Sequence, residues 1–222
     1  MRFKIITIDG PTGVGKSTIA RQLAKNINYF YIDTGAMFRC LAWKWGIHGC
    51  PKSDSFLEKL GEETRIVFEK EKVICDDVDV TQEIRSEKIS AFASKISCFP
   101  LIREVLKKQQ RAMVEKIQKS LTSPGTILEG RDVGTVVFPL ADLKFYLDAS
   151  PEIRAKRRFK QLQVSGEDVD FEEILTALQK RDFQDQNRKV APLKVADNAI
   201  IIDTGKISIK EVLRILLEFV QD

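Results

Sequence analysis

The sequence predicts an α/β fold, a parallel sheet with helices on both faces, and three observations carry that reading. Five short apolar runs, FKIITID, YFYID, TILEG, LKFYLDA and AIIID, alternate with longer segments of helical period, the pattern of parallel strands joined by helical crossovers. The runs close on or beside Asp9, Asp33, Glu129, Asp148 and Asp203, at the carboxyl strand ends where open sheets of this class hold ligands. The first run leads at once into GPTGVGKST and then into IARQLAKNI, a glycine-rich turn that opens a helix.

That turn fits the pattern G-x-x-x-x-G-K-[ST]. Gly10 and Gly15 bracket it, Lys16 supplies a point charge and Ser17 a hydroxyl suited to a metal ion. Glycines let the backbone take positive φ, so successive amides can point inward around an anion. Ile19, Ala20, Leu23 and Ala24 then recur at helical spacing, and the helix adds its N-terminal amides and dipole to the same anion. A strand before, a helix after and every specified position filled set this loop apart from a chance glycine-rich turn. It implies a nucleoside triphosphate with magnesium, since that ion is held by hard oxygens and phosphates. The fate of the γ-phosphate stays open, because switches, motors, ATPases and small-molecule kinases share such a loop.

Two segments interrupt the simple alternation. Residues 34 to 125 separate the second and third runs, far more than the roughly 10 to 15 of an ordinary crossover helix, and read as an inserted subdomain. Within it TRIVFEKEKVICDDVDV reads as a hairpin with Glu69 to Glu71 near its turn. IREVLKKQQRAMVEKI reads as a long helix after Pro100, with Ile102, Val105, Leu106, Met113 and Ile117 on its apolar side. The second interruption follows LDAS. Pro151 opens the basic helix PEIRAKRRFKQL, and a polar loop leads to FEEILTALQKRDFQDQNRK.

Arg181, Asp185 and Arg188 stand at i, i+4 and i+7 of that last helix and share a face, as Arg154 and Arg158 do on the preceding one. Spacing alone also fits a pair of solvated, salt-bridged surface helices. The phosphate loop in the same chain favours a hinged lid instead. Phosphoryl transfer needs cations around the transferred group and exclusion of water, and a mobile arginine-rich flap supplies both.

At 222 residues the chain has the size of one α/β domain with insertions. The net charge of +4, from 36 basic and 32 acidic residues, is too small to indicate nucleic acid and suits an anionic small substrate. Cys40, Cys50, Cys75 and Cys98 form no C-x-x-C pair, and His48 is the only histidine, so they read as reduced thiols without a metal role. Asp9 interrupts the first apolar run early and no run reaches membrane-spanning length. The expectation is a cytoplasmic protein.

Taken with GPTGVGKST, the segments DTGAMFR, EGRDVGTVVFP and RDFQDQNRKVAPL resemble, in this order and spacing, the bacterial cytidylate kinases over essentially the whole chain. The resemblance implies the P-loop nucleoside monophosphate kinase fold, with a five-stranded parallel sheet, a large monophosphate-binding (NMP-binding) insertion and a helical lid. The expected division of a single kinase domain is a core of about residues 1–35, 120–150 and 190–222, an insertion of about 36–119 and a lid of about 151–189. The implied reaction moves the γ-phosphoryl group of ATP to CMP or dCMP with Mg2+, in a monomer that engages neither nucleic acid nor membrane.

Carried over by position, Gly10, Pro11, Thr12, Gly13, Val14, Gly15, Lys16, Ser17 and Thr18 would bind the ATP phosphates, with Ser17 on the metal and Arg154 and Arg158 lining the closing site. Thr34, Arg39 and Arg131 would position the acceptor and its phosphate, Ser94, Arg103 and Asp132 would read the base, and Arg181 and Asp185 would meet the sugar. Lys16, Arg131, Arg181 and Arg188 would be the catalytic set. Phe38 stands where a tyrosine is common, Gln184 and Gln186 replace residues often charged, and Glu129 stands where an aspartate is frequent.

A carboxylate beside an arginine matches the cytosine edge, which donates from its amine and accepts at N3 and O2, whereas uracil would leave buried polar groups unpaired. A GTP-dependent switch is disfavoured because the chain contains neither N-K-x-D nor D-x-x-G. A P-loop kinase of a sugar or shikimate-like acid lacks a use for the base readers and the insertion. A nucleic-acid-dependent ATPase finds little support in the modest charge.

Overall fold

The computed structural model describes residues 2–69 and 71–221. The chain runs β1 (Lys4–Asp9), α1 (Lys16–Ile27), β2 (Phe30–Asp33), α2 (Thr34–Ile47), α3 (Asp54–Glu63), β3 (Ile66–Glu69), β4 (Lys72–Cys75), β5 (Val78–Asp79), α4 (Glu87–Ile96), α5 (Pro100–Ser120), β6 (Gly125–Gly130), β7 (Leu143–Asp148), α6 (Pro151–Val164), α7 (Phe171–Asn187), β8 (Ile200–Asp203) and α8 (Ile209–Gln221). It divides into two compact units, one of residues up to Tyr31 with those from Ile117 onward, the other Ile32–Lys116.

All five apolar runs of the sequence are strands of one parallel sheet, in the order β2-β6-β1-β7-β8. β1 lies at its centre, in register with β6 from Lys4↔Gly125 to Asp9↔Gly130 and with β7 from Ile6↔Leu143 to Asp9↔Tyr146. A strand flanked on both sides and covered on both faces has to be continuously apolar, which is why β1 reads KIITID rather than alternating. Ile6 and Ile8 join Ile127, Phe145 and Leu147 in the core, where α1 adds Ile19, Ala20, Leu23 and Ala24 and α8 adds Val212 and Leu216. β1 and β6 approach closely where Gly125 faces Tyr29. A Cβ at Gly125 would fall against the Tyr29 ring and 2.5 Å from the Lys4 carbonyl oxygen.

The second unit has its own three-stranded antiparallel sheet, β3-β4-β5, with pairs from Ile66↔Cys75 to Glu69↔Lys72. The expected hairpin is present. Its turn region around Glu69 to Glu71 includes Lys70, which lies outside the described residues. The third strand was not expected, because Val78–Asp79 is only two residues long and follows a tight turn in which Asp76 and Asp77 have φ of 48° and 65°. The expected long helix is present as α5 and begins at Pro100 itself rather than after it. Ile102, Leu106 and Val114 are buried on it, and so are Arg103 and Gln110, two polar residues that periodicity could not place inside. Trp45 of α2 donates its indole N–H to the Pro51 carbonyl at 2.7 Å and meets Phe92 and Phe99 edge-on. Cys40 and Cys75 are buried here with their thiols hydrogen-bonded to each other, which pushes the Cys40 thiol up.

Gly125→Ala is expected to destabilise the protein by about 1–3 kcal/mol or more, the usual cost of overpacking. Urea denaturation tests it, and an unchanged midpoint would show that the β1–β6 approach tolerates a methyl group.

Candidate active site

The loop after β1 has the geometry its glycines permit. Gly10, Gly13 and Gly15 have φ of 150°, 75° and 96°. A Cβ on Gly10 would collide with the Leu147 carbonyl, so the loop leaves the sheet by passing directly over β7. Gly15 caps α1 in the left-handed conformation, and the first turn of that helix carries no acidic residue, leaving its amides and dipole to an anion. Ser17 and Thr18 are exposed there.

Lys16 is buried, and its ammonium donates to the carbonyls of Gly10 at 2.8 Å and Pro11 at 2.6 Å. Burial above all, then the positive Arg131, holds it well below the usual lysine range, against the pull of Glu129, Asp9 and Asp185. A negative charge placed beside the ammonium would oppose both effects.

Asp9, the last residue of β1, is buried and accepts the amides of Val133 at 3.0 Å and Gly134 at 2.7 Å. These amides open a single π-helical turn, Val133–Val137. Gly134 is required beside it, since a Cβ there would lie 2.8 Å from Thr7 Oγ1. Desolvation raises the Asp9 pKa to about 6, opposed by the two amides, with Asp132 adding to the rise and Lys16 reducing it.

Arg131 and Asp132 follow β6, and Asp185 near the end of α7 and Arg188 just beyond it, in extended backbone rather than on the helix face the spacing predicts, come to them. Arg131 Nε donates to Asp185 Oδ2 at 3.0 Å. Arg188 lies 3.4 Å from Asp132 Oδ1 and 3.6 Å from Asp185 Oδ1, and its Nε donates to the Ala191 carbonyl at 2.6 Å. Two arginines thus alternate with two buried carboxylates, and Leu193 N closes the segment onto the Asp185 carbonyl at 2.8 Å. Arg181 and Arg158 are half-buried on α7 and α6. Arg154 is buried, with Nε donating to the Ala149 carbonyl at 2.9 Å, one terminal nitrogen to the Thr12 carbonyl at 3.0 Å and the other 2.6 Å from Asp182 Oδ2.

The remaining expected residues belong to the second unit. Asp33 caps α2 by accepting Ala36 N at 2.8 Å and pairs with Arg39 at 2.8 Å. Gly35 leaves room for this pair, since a Cβ there would lie 3.1 Å from the Arg39 guanidinium. Thr34 is buried at the head of the same helix. Arg103 is buried, donates to the Ser97 carbonyl at 3.1 Å and lies 5.2 Å from the centre of the Phe38 ring. Ser94 is half-buried, and its carbonyl accepts the Ser97 hydroxyl at 2.8 Å.

A family model for cytidylate kinase matches residues 6–222. The chain belongs to the cytidylate kinase family. It is 42% identical to "Cytidylate kinase" of Aeromonas salmonicida (strain A449), over 98% of this chain and 94% of the relative. It is 41% identical to "Cytidylate kinase" of Vibrio cholerae serotype O1, over 98% and 96% of the two chains. A crystal structure of an uncharacterized protein from Eubacterium ventriosum shares the fold at a TM-score of 0.54 and 12% identity, each chain being covered to 99%.

In this cytidylate kinase family member, several site residues escape a reading of the sequence. Asp9 looks like any polar strand end, Asp182 like one of several helix acids, and Thr204 like part of a turn. In the structure the Thr204 hydroxyl lies 3.2 Å from the Val14 carbonyl and accepts from Arg157 at 3.2 Å. Their partners are up to 190 residues away, so no local pattern signals them.

The raised Asp9 pKa has a definite sign. The fold favours protonated Asp9, so the stability it contributes is fully present below the unfolded value of 3.8 and is lost as pH rises to about 6. Across that window the advantage of wild type over Asp9→Asn in urea denaturation is expected to shrink by up to about 3 kcal/mol. Parallel curves for the two proteins would show that Asp9 titrates alike folded and unfolded.

Proposed function

We propose that this protein transfers the γ-phosphoryl group of ATP to CMP or dCMP, giving CDP or dCDP, as a cytoplasmic monomer acting on free nucleotides rather than on nucleic acid or a membrane. The observation that carries it is the company Lys16 keeps. Asp9 and Gly130 pair in register on neighbouring strands, so the loop that Lys16 closes on the Gly10 and Pro11 carbonyls and the arginine–carboxylate cluster that begins at Arg131 leave the sheet side by side. A donor polyphosphate held by the loop and an acceptor held by the cluster meet in one field.

The loop from Gly10 to Thr18 serves as the ATP phosphate cradle, with Lys16 exchanging its two carbonyls for the β- and γ-phosphates. Ser17 suits magnesium, as an exposed hydroxyl oxygen in the first turn after Lys16. When bound, magnesium supplies neutralisation of phosphate charge. Arg131 and Arg188, held by Asp185 and Asp132, orient cations toward the transferred group, with Arg181 and Arg158 completing the ring. Asp185 and Arg181 serve the sugar and Asp132 the base. In the second unit, Thr34 and Arg39 are assigned to the acceptor phosphate and Ser94 and Arg103 to the base. No strong base is needed, because a phosphate monoester with a second pKa near 6 is already largely dianionic at neutral pH. Catalysis is positioning plus electrostatic stabilisation.

Lys16→Ala is expected to lower turnover by orders of magnitude in a protein that still folds, whereas near-normal turnover would reject the role. The test of the function itself is ADP release with ATP and magnesium, comparing CMP, dCMP, UMP, AMP and no acceptor. Fast turnover with CMP and dCMP alone supports the reading. Equal rates in all five would make the protein an ATPase.

A further inference from the structure

A loop that turns its amides inward turns its carbonyls outward, because C=O and N–H point in opposite directions across a trans peptide. Each outward carbonyl needs a donor once it is away from water. Lys16 serves Gly10 and Pro11. The Thr12 carbonyl is served by Arg154 of α6, at 3.0 Å. Fixing that oxygen fixes the plane of the Thr12–Gly13 peptide, and so aims the Gly13 amide to the opposite side.

Arg154 is not free to reach a nucleotide. It is 3% exposed, and each nitrogen of its fork has a protein acceptor, namely Ala149 O, Thr12 O and Asp182 Oδ2. A guanidinium this deeply buried requires a counter-charge, and Asp182 provides it from α7, at 8% exposure. Asp182 immediately follows Arg181 and precedes Asp185 by three residues, so the helix bearing the arginine–carboxylate cluster also holds the donor loop by its backbone. The loop and α6 lie against each other here, since a Cβ at Gly13 would be in ordinary van der Waals contact with Arg154 Cβ, at 3.4 Å.

We propose that Arg154 and Asp182 are positioning residues for phosphoryl transfer: the buried pair aims the Gly13 amide at the donor phosphates and ties that aim to the placement of α7. It rests on the reading of the loop as an ATP site and assigns Arg154 an action through the backbone rather than on the phosphates.

The test compares wild type with Arg154→Lys, which keeps the charge but cannot serve three acceptors in one plane, and with Asp182→Asn and Asp182→Glu. The readouts are calorimetric affinity for ADP, the Gly13 amide shift on adding ADP, and KM for ATP and CMP in variants that melt cooperatively. The expected result for Arg154→Lys and Asp182→Asn is about tenfold weaker ADP binding, the weight of one oriented hydrogen bond to a charged group. The Gly13 shift is reduced, KM for ATP rises in proportion, KM for CMP stays within about twofold, and Asp182→Glu recovers part of the loss. Wild-type ADP affinity and Gly13 response in a folded Arg154→Lys protein would overturn the proposal, as would equal rises in both KM values. ADP binding needs no acceptor, so wild type that binds ADP yet fails to phosphorylate CMP would remove the functional reading and leave this one standing on its own readouts.

Discussion

The orientation of the peptides between Gly10 and Gly15 is the constraint from which the rest of the first unit follows. A backbone cradle for phosphate works only if its carbonyls are satisfied elsewhere. Gly10 has to pass over the Leu147 carbonyl, which places the cradle beside β7. Lys16 folds back on the first two carbonyls, α6 supplies a donor for the third, and Thr204, braced by Arg157, stands by Val14. The sheet order, with β1 central and β7 and β8 to one side, brings those donors within reach.

The sheet and the loop were legible because they rest on local patterns. The five strands are apolar runs bounded by turns, and the phosphate loop has its residues adjacent in sequence. The organisation of charge was not legible in the same way. Spacing put Arg181, Asp185 and Arg188 on one face of a helix, but α7 ends at Asn187 and Arg188 is extended, and it is from there that Arg188 comes to lie 3.6 Å from Asp185. Spacing could not tell that Arg131 and Asp132, more than fifty residues earlier, complete the alternation, nor that Arg154 points into the protein. The two-residue strand β5 was missed because a segment that short carries no period.

The first unit concentrates buried charge where stability alone would place apolar groups. Asp9, Lys16, Asp132, Arg154, Asp182 and Asp185 are all at most 8% exposed, and a buried ion pair rarely outperforms a hydrophobic replacement. What the charges give is order. Asp9, with two amides on its two oxygens, fixes the start of the π turn that follows Asp132. Asp185 is shared by Arg131, on Oδ2, and Arg188, on Oδ1, so one carboxylate holds both guanidinium groups in place. Such a site holds its dipoles in place before a reaction begins, the condition under which electrostatic stabilisation is most effective.

In the second unit Phe38 meets the same demand for fixed cations. Arg103 is 6% exposed and sits 5.2 Å from the Phe38 ring centre while donating to the Ser97 carbonyl. The ring face attracts a guanidinium through its quadrupole, and burial strengthens that attraction. A hydroxyl at the far edge of the ring adds nothing to it. The aromatic face is therefore the property needed at position 38 for holding Arg103, and phenylalanine supplies it as well as tyrosine does.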